Sequence, residues 1–313
     1  MVATGRARVS APVLDRLALA LVLGGALLLA AKGILAKMLY AEGVELEALL
    51  VTRALLSLPF IWGWAVLRGE LPRVFAAPRR VIAAAAFGGL SGYYIGTWFD
   101  FRALQLIDAS LERVLLFTYP AIVVVARAVL RGAWPARREL LAALTAYAGV
   151  AFAVGGFDTD LWTANGKGAA FVLISAATFA VYLLANEQVG RTLGSVGFLV
   201  VAATAAALAL SAHFMLTSGP AALAISGHAW VLLVVMTVFT NVMPLFMLSA
   251  GIGRIGAARA AILTSIGPPA TLCMAWLGLG ERLEAVQVVG AVVIVAGIVI
   301  LESGRAAPVA RGA

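Results

Sequence analysis

The sequence predicts an all-α membrane protein with ten transmembrane helices, arranged as two inverted five-helix repeats. Three observations lead to this fold class: the composition, the lengths of the apolar segments and an internal repeat. The chain has 313 residues, of which 63% are hydrophobic and only 12% are charged. Soluble domains average roughly half apolar and about a quarter charged residues. The polar residues are therefore too few to cover a water-facing surface.

The apolar segments have the length of membrane-spanning helices. A helix needs about 20 predominantly apolar residues to cross the hydrocarbon core of a bilayer. Several connections between segments are so short that neighbouring helices must be antiparallel. In chain order, the ten predicted spans are residues 17–39, 47–67, 81–104, 109–130, 139–156, 168–187, 195–216, 229–250, 257–278 and 285–302.

An internal repeat relates the two halves of the chain. Residues 108–150 align without a gap onto residues 256–298, at an offset of 148. Within this alignment, Tyr119-Pro120 falls on Gly267-Pro268. Internal repeats in a chain of apolar segments are typical of secondary transporters.

The repeat divides the chain into two units, residues 17–156 and residues 168–302, each with five spans. Because five is an odd number, the second unit enters the membrane from the opposite side. The repeats are therefore predicted to be inverted, with a substrate site near the midplane at their interface.

The basic residues predict the orientation. The net charge is +8, but the basic residues lie in short clusters between apolar segments, which does not favour nucleic-acid binding. With the N-terminus inside, fourteen arginines fall in cytoplasmic segments, whereas the outer loops hold Lys167 and Arg282. This bias follows the positive-inside rule. We expect a multi-pass protein of a bacterial inner membrane with both termini in the cytoplasm.

Short motifs recur in order in both halves. Taken together, they resemble the EamA-type branch of the drug/metabolite transporter superfamily, and Arg53 matches a position where that branch usually has arginine. The resemblance covers residues 17–302, and it implies export of small metabolites, amino acids among them, without a prosthetic group. The motifs are Ala103-Leu104, Asp108-Ala109-Ser110 and Tyr119-Pro120 in the first repeat, and Ile255-Gly256-Ala257, Gly267-Pro268 and Leu279-Gly280-Glu281 in the second.

The hairpin motif is incomplete in the first repeat, which has Gly132-Ala133-Trp134 where the second has Gly280-Glu281-Arg282. This asymmetry favours a structural role for Glu281. Enzyme motifs are missing, and two histidines are too few for a metal site. We expect neither catalysis nor a cofactor.

Charged residues within the spans are the main candidates for a site: Lys32, Arg53, Asp100, Glu112 and Arg113. Each should face a partner or a wet cavity, because a charge at the bilayer centre costs about 2.5–3.5 kcal/mol or more. Cations outnumber carboxylates, so a positive potential should remain that suits the carboxylate of a substrate. A structural ion-pair network is the alternative interpretation.

Repeat symmetry bears on these alternatives. Glu112 and Arg113 correspond to Ala260 and Ala261 in the second repeat, and this asymmetry favours a functional role. The remaining cations, Lys37 and Arg102, are expected to snorkel to the outer interface.

Aromatic and polar residues of the spans complete the candidate site. Tyr93, Tyr94 and Trp98 lie on the third span, with lipid contact or core packing as the alternative for them and an interfacial belt as a further alternative for Trp98. Tyr119 precedes the proline of the fourth span, and Asn241 lies near Pro244 in the eighth, with an interhelical hydrogen bond as its alternative. Paired helix breaks in two repeats point to a substrate site or hinge.

The sequence thus predicts an inner-membrane secondary transporter that exports small metabolites, with amino acids or related amphipathic compounds as the favoured class. A nucleotide-sugar or cofactor carrier and a non-transporting membrane scaffold are the alternatives. The expected partners are a small-molecule substrate and the lipid bilayer, and no nucleic acid. Proton coupling, and the choice between a monomer and a homodimer, stay open.

Overall fold

The computed structural model describes residues 16–132, 137–154, 157–255, 263, 266–282 and 284–305. These residues form helices joined by short turns, and no strand occurs among them. Six of the helical stretches are long and apolar enough to cross a membrane. They are Arg16–Ala41, Leu46–Leu67, Ala109–Arg127, Thr159–Gly190, Thr192–Thr217 and Gly227–Leu248. The other four predicted spans also coincide with helices, which are shorter, interrupted or less apolar.

The helices of the first repeat follow the predicted spans, although three of the spans are interrupted. The first span comprises Arg16–Ala30 and Lys32–Ala41, and the second is Leu46–Leu67, followed by the short helix Leu71–Phe75. The third span runs from Arg79–Gly89 through the π-helical segment Leu90–Gly96 to Thr97–Ala103, the fourth comprises Ala109–Leu116 and Tyr119–Arg131, and the fifth is Arg137–Val154.

The second repeat begins with the helical stretch Thr159–Thr217, which holds the sixth and seventh spans. Gly194 separates these two spans with a φ of 73°, a conformation that glycine adopts without steric penalty. After the 3₁₀ turn Pro220–Leu223, the eighth span runs from Gly227–Thr237 through the π-helical segment Val238–Val242 to Met243–Ile255. The ninth and tenth spans contain Gly267–Leu279 and Ala285–Arg305.

The main contacts between spans stay the same when each span is replaced by its equivalent in the other repeat, the first by the sixth, the second by the seventh and so on. The first span packs against the eighth and ninth, as the sixth packs against the third and fourth. The second span packs on the seventh, the fourth on the ninth and the fifth on the tenth, and exchange maps each of these pairs onto itself. This is the pattern that a two-fold relation between the repeats requires.

The lipid-facing surface is formed by large apolar side chains that other spans do not cover. Leu67, Val129, Leu216 and Leu277 are all more than two-thirds exposed. Exposed apolar surface on this scale is a liability in water but suits contact with acyl chains. The chain is therefore a multi-pass membrane protein.

Glycines set the closest contacts between spans. A Cβ built on Gly89 of the third span would lie 2.2 Å from the carbonyl oxygen of Ala202 in the seventh. A Cβ on Gly290 of the tenth span would lie 2.2 Å from the backbone nitrogen of Ala153 in the fifth. In both cases the obstacle is backbone, which cannot rotate away. Small residues are the usual means of close helix packing in membranes.

We predict that Gly89→Ala separates the third and seventh spans and destabilises the protein by about 1–3 kcal/mol, the usual cost of overpacking. The unfolding midpoint of purified protein in detergent should fall. Gly63→Ala is the matched control, because no heavy atom lies within 4 Å of a Cβ at that helical position. Equal midpoints for the two variants would contradict the packing argument.

Glu281 joins the two repeats at their ends. Its carboxylate follows the ninth span and accepts hydrogen bonds from the backbone N–H groups of Ala109 (3.0 Å) and Ser110 (3.1 Å) and from Ser110 Oγ (2.9 Å). These donors begin the fourth span, where the first N–H groups of a helix have no partner within the helix. Glu281 therefore has the structural role that the sequence suggests.

Lys37, the first of the two cations expected to snorkel to the outer interface, has ion-pair partners beside the ends of the fourth and ninth spans. Its Nζ atom lies 3.2 Å from Glu281 Oε1 and 3.4 Å from Asp108 Oδ1, so the ammonium bridges the two repeats. The other cation expected to snorkel, Arg102, is exposed and donates a hydrogen bond to Gln105.

The hydrogen bonds and the ammonium also affect the ionisation of Glu281. Burial opposes the charged form, but the N–H groups of Ala109 and Ser110 and the charge of Lys37 together hold the pKa of Glu281 below its ordinary value of 4.5. A carboxylate with a lowered pKa stabilises the fold at pH values above its unfolded pKa. That contribution is lost as the pH falls through the folded pKa.

We predict that Glu281→Ala lowers the unfolding midpoint at pH 7, because loss of a helix cap costs about 0.5–2 kcal/mol. The difference from the wild type should shrink as the pH is lowered below 4.5. Glu45→Ala is the control, since Glu45 precedes the second span but makes no capping hydrogen bond through its side chain. A difference that stays constant with pH would show that the carboxylate charge is not what stabilises the helix end.

Candidate functional site

An ionic cluster lies in the interior, where the first, third and fourth spans meet. Lys32 forms an ion pair with Asp100, and its Nζ atom lies 3.3 Å from Glu112 Oε1. All three residues are buried, and Glu112 has no exposed surface. One ammonium group therefore serves two carboxylates that come from different spans.

The first span is broken immediately before Lys32. Ala31 lies outside the two helices, and the carbonyl groups next to it bond to side chains. Arg113 Nη2 donates to the carbonyl oxygen of Leu29 at 2.7 Å, and Thr271 Oγ1 donates to that of Ala30 at 3.0 Å. The break contains no proline, so no local sequence signal predicts it. Side chains from the fourth and ninth spans satisfy the backbone instead.

The hydrogen bonding of the cluster is incomplete. Among the described residues, Asp100 Oδ1, Glu112 Oε2 and Arg113 Nε are buried without a hydrogen-bond partner. With Lys32 included, the four side chains carry two positive and two negative charges. The charges balance, but free acceptor atoms remain that a proton or water could occupy. Buried polar atoms without partners are rare in native structures and call for an explanation.

A cavity lies between the second, third, seventh and eighth spans, two from each repeat. It is partly open, and its volume is about 580 Å³ when the open space at its mouth is included. Its wall is mostly aliphatic, and four polar side chains reach it. These are Arg53, Ser57, Tyr93 and Asn241.

The neutral polar side chains of the cavity are held by one another and by the backbone. Asn241 Nδ2 donates to Ser57 Oγ at 2.7 Å, and Ser57 Oγ in turn donates to the carbonyl oxygen of Arg53 at 2.7 Å. The hydroxyl of Tyr93 lies 3.1 Å from that of Tyr182. These bonds orient the polar wall before any solute enters.

Arg53 differs from the other cations of the first repeat. Within the part of the chain that the structure describes, its guanidinium has no ion pair and no side-chain hydrogen bond. Its Cζ atom lies 4.7 Å from the centre of the Phe101 ring, and Lys32 Nζ lies 5.4 Å from the same centre. Phe101 is fully buried. One aromatic ring thus connects the cavity with the ionic cluster.

Two π-helical segments stand at equivalent places in the repeats. Leu90–Gly96 in the third span and Val238–Val242 in the eighth are related by the same offset of 148 residues, which also maps Tyr93 onto Asn241. Both of these residues line the cavity. π-Helical turns within α-helices occur frequently at functional sites.

The proline motifs that the sequence singled out have a different placement. The fourth span is interrupted at Phe117 and Thr118, directly before Tyr119-Pro120. In the ninth span, Gly267-Pro268 begins the helix Gly267–Leu279. None of these residues lines the cavity. The cavity therefore lies at the π-helical segments and not at the paired prolines.

The predicted site residues separate into three groups. Arg53, Tyr93 and Asn241 line the cavity. The ionic cluster contains Lys32, Asp100 and Glu112, with Arg113 beside it. Tyr94, Trp98 and Tyr119 do not reach the cavity.

The residues of the third group contact other aromatic side chains. Tyr94 OH lies 3.1 Å from His213 Nδ1, and the Trp98 ring stacks on that histidine with centroids 6.4 Å apart. Tyr119 packs edge-on against Phe179, with centroids 5.1 Å apart. Trp98 therefore belongs to an interior cluster and not to an interfacial belt.

Sequence reasoning missed Ser57, Phe101 and His213. Ser57 lies four residues after Arg53, one helical turn away, and that spacing was a usable signal. Phe101 and His213 gave no such signal, because their roles depend on contacts between spans. Among the described residues, no three His, Cys, Asp or Glu side chains come together as metal ligands.

Comparisons with known proteins agree with this architecture. A model of the EamA-like transporter family matches the chain twice, over residues 16–155 and residues 166–303. A protein of Bacillus subtilis (strain 168) described as the uncharacterized transporter YcbK is 32% identical over 273 residues, covering 85% of this chain and 86% of its own.

A solved crystal structure of a protein is also similar. It has a TM-score of 0.58 and 20% sequence identity, and the match covers 92% of this chain and 99% of the other. At this identity the similarity concerns the fold alone. The two family matches together span most of the chain and place one match on each five-helix unit. The chain belongs to the EamA-like transporter family.

Proposed function

We propose that the chain is a secondary transporter that exports small amphipathic metabolites with an anionic group, amino acids among them, from the cytoplasm of a bacterium. Both termini would lie in the cytoplasm. The observation that carries the proposal is the cavity, which two spans of each repeat line and in which the guanidinium of Arg53 has no ion pair with any described residue. Membership of a transporter family supports transport, and the substrate class rests on the cavity.

The wall of the cavity favours an amphipathic solute. Leucine, isoleucine, valine and alanine side chains form most of the wall, and Arg53, Ser57, Tyr93 and Asn241 are its polar part. Pockets for small molecules are usually apolar with a few placed polar groups that orient the ligand. A carboxylate on Arg53 and a hydrocarbon side chain on the aliphatic wall would satisfy both parts.

The alternatives fit the cavity less well. A nucleotide sugar carries two phosphate charges, whereas Arg53 is the one charged side chain among the described residues that line the cavity. A membrane scaffold has no need for a cavity between two repeats, or for a cation inside it that has no ion pair with a described residue. Transport of a small solute with one anionic group explains both features.

The ionic cluster suits coupling to protons. Two buried carboxylates, Asp100 and Glu112, share Lys32, and each retains an oxygen without a hydrogen-bond partner among the described residues. Carboxylates within membrane spans are typical of proton pathways in pumps and transporters. A proton on Asp100 would weaken its ion pair with Lys32 and so the contact between the first and third spans, and a proton on Glu112 would weaken the contact between the first and fourth.

We predict that Arg53→Gln lowers transport at least tenfold, because the anionic group of the substrate loses its counter-charge. The measurement is flux of a panel of radiolabelled metabolites, amino acids included, into liposomes that contain the purified protein. Arg102→Gln is the matched control, since Arg102 is an exposed cation outside the cavity. Full activity of the Arg53→Gln variant, or a panel from which nothing is transported, would contradict the proposed site.

We also predict that Asp100→Asn or Glu112→Gln abolishes flux driven by a pH gradient but leaves substrate exchange intact. Exchange needs only the alternation of the loaded carrier, whereas a gradient drives flux only through a group that binds the proton. Folding of each variant is checked by its unfolding midpoint. If both variants lose only stability, and the folded fraction responds normally to the gradient, the cluster is structural and the coupling proposal fails.

A further inference from the structure

We infer that the cavity selects solutes that carry a carboxylate beside an apolar side chain and lack a free ammonium group. N-acylated amino acids and branched organic acids have this chemistry, and zwitterionic amino acids do not. The inference rests on the proposed function and narrows its substrate class. It follows from the charges and hydrogen bonds of the cavity wall.

The cavity offers one charge, and that charge is positive. Arg53 lies in the wall, and no aspartate or glutamate is among the described residues that line the cavity. A carboxylate bound to the guanidinium of Arg53 would place the α-ammonium of an amino acid only a few ångströms from the same guanidinium. Like charges at that distance repel strongly where water is excluded.

The neutral oxygens of the wall give an ammonium group little compensation. Ser57 Oγ already accepts a hydrogen bond from Asn241 and donates one to the backbone. The hydroxyl of Tyr93 is paired with that of Tyr182. An ammonium group has three donors and no acceptor. The carboxamide oxygen of Asn241 could accept from one of them, and the others would have no partner among these side chains. A polar group buried without its hydrogen bonds weakens binding.

The nearest carboxylates of the interior are already committed. Asp100 and Glu112 both bind Lys32, and neither lines the cavity. The fully buried ring of Phe101, which Arg53 contacts, also contacts Lys32. Asp100 and Glu112, which could have neutralised the ammonium of a substrate, thus neutralise the ammonium of Lys32 instead.

The aliphatic part of the wall indicates the rest of the solute. Leu50, Ile61, Leu199, Leu210 and Leu245 surround the polar residues and present only hydrocarbon. A branched aliphatic side chain buries apolar surface there, while the acyl group of an N-acylated amino acid adds a neutral amide. The amide can bond to the carboxamide of Asn241, which still has an acceptor oxygen for it.

The test uses four compounds that cover every combination of the two charges: leucine with both charges, N-acetyl-leucine with the carboxylate alone, leucinamide with the ammonium alone, and N-acetyl-leucinamide with neither. Their binding to the purified wild-type protein in detergent at pH 7.5 is measured by calorimetry. N-acetyl-leucine should bind at least tenfold more tightly than leucine, and leucinamide and N-acetyl-leucinamide should bind no more tightly than leucine.

The Arg53 variants test whether this preference arises in the cavity. Arg53→Gln should remove the advantage of N-acetyl-leucine over N-acetyl-leucinamide, and Arg53→Lys should retain most of it. Arg102→Gln, with its exposed cation removed, should behave as the wild type. A preference that survives Arg53→Gln overturns the inference. The comparison of the four solutes on the wild-type protein remains decisive if that variant does not fold.

The outcomes separate the inference from the proposed function. If leucine binds as tightly as N-acetyl-leucine, the inference is wrong and the transport proposal stands. If none of the four binds but another solute of the liposome panel is transported, the inference is again wrong by itself. If nothing binds and nothing in the panel is transported, both fail.

Discussion

The buried ammonium of Lys32 is the interaction on which the interior of the first repeat depends. Asp100 comes from the third span and Glu112 from the fourth, and both carboxylates meet Lys32 in the first. Removing one partner from a buried ion pair is strongly destabilising, because the other charge remains without compensation. The three spans are therefore held together by charge in a region where apolar contacts alone would permit sliding. The break at Ala31 directs Lys32 into this position, and Arg113 and Thr271 hold the backbone of the break.

The two repeats share their arrangement of helices but not their buried charges. The offset of 148 residues that relates the π-helical segments maps Lys32 onto Ala180 and Asp100 onto Leu248. Every charge of the cluster is thus replaced by an apolar residue in the second repeat. The first repeat provides the charges, and the second provides a matching helical frame and most of the aliphatic wall. Under the proposed function, only the first of the two similar repeats binds protons and the anionic group of the substrate.

Features that depend on segment length were predictable from the sequence, and features that depend on contacts between spans were not. Ten apolar segments and a gapless repeat led to the helical architecture and to the family. Arg53, Tyr93 and Asn241 were predicted as site residues and do line the cavity. The break at Ala31 has no proline, so its cause lies in side chains of other spans. The partner of Lys37, Glu281, is 244 positions away, and no local pattern could have shown that its ammonium bridges the repeats.

The carboxylate of Glu281, which caps the first turn of the fourth span, bears on the ancestry of the chain. Duplicated membrane proteins can descend from a half-length protein that inserted in both orientations and assembled as a pair. Two copies of the present first half would lack this helix cap, because Ala133 stands where the second half has Glu281. The N–H groups of Ala109 and Ser110 would then lose their acceptor. At this contact the two halves are complementary and can no longer replace each other.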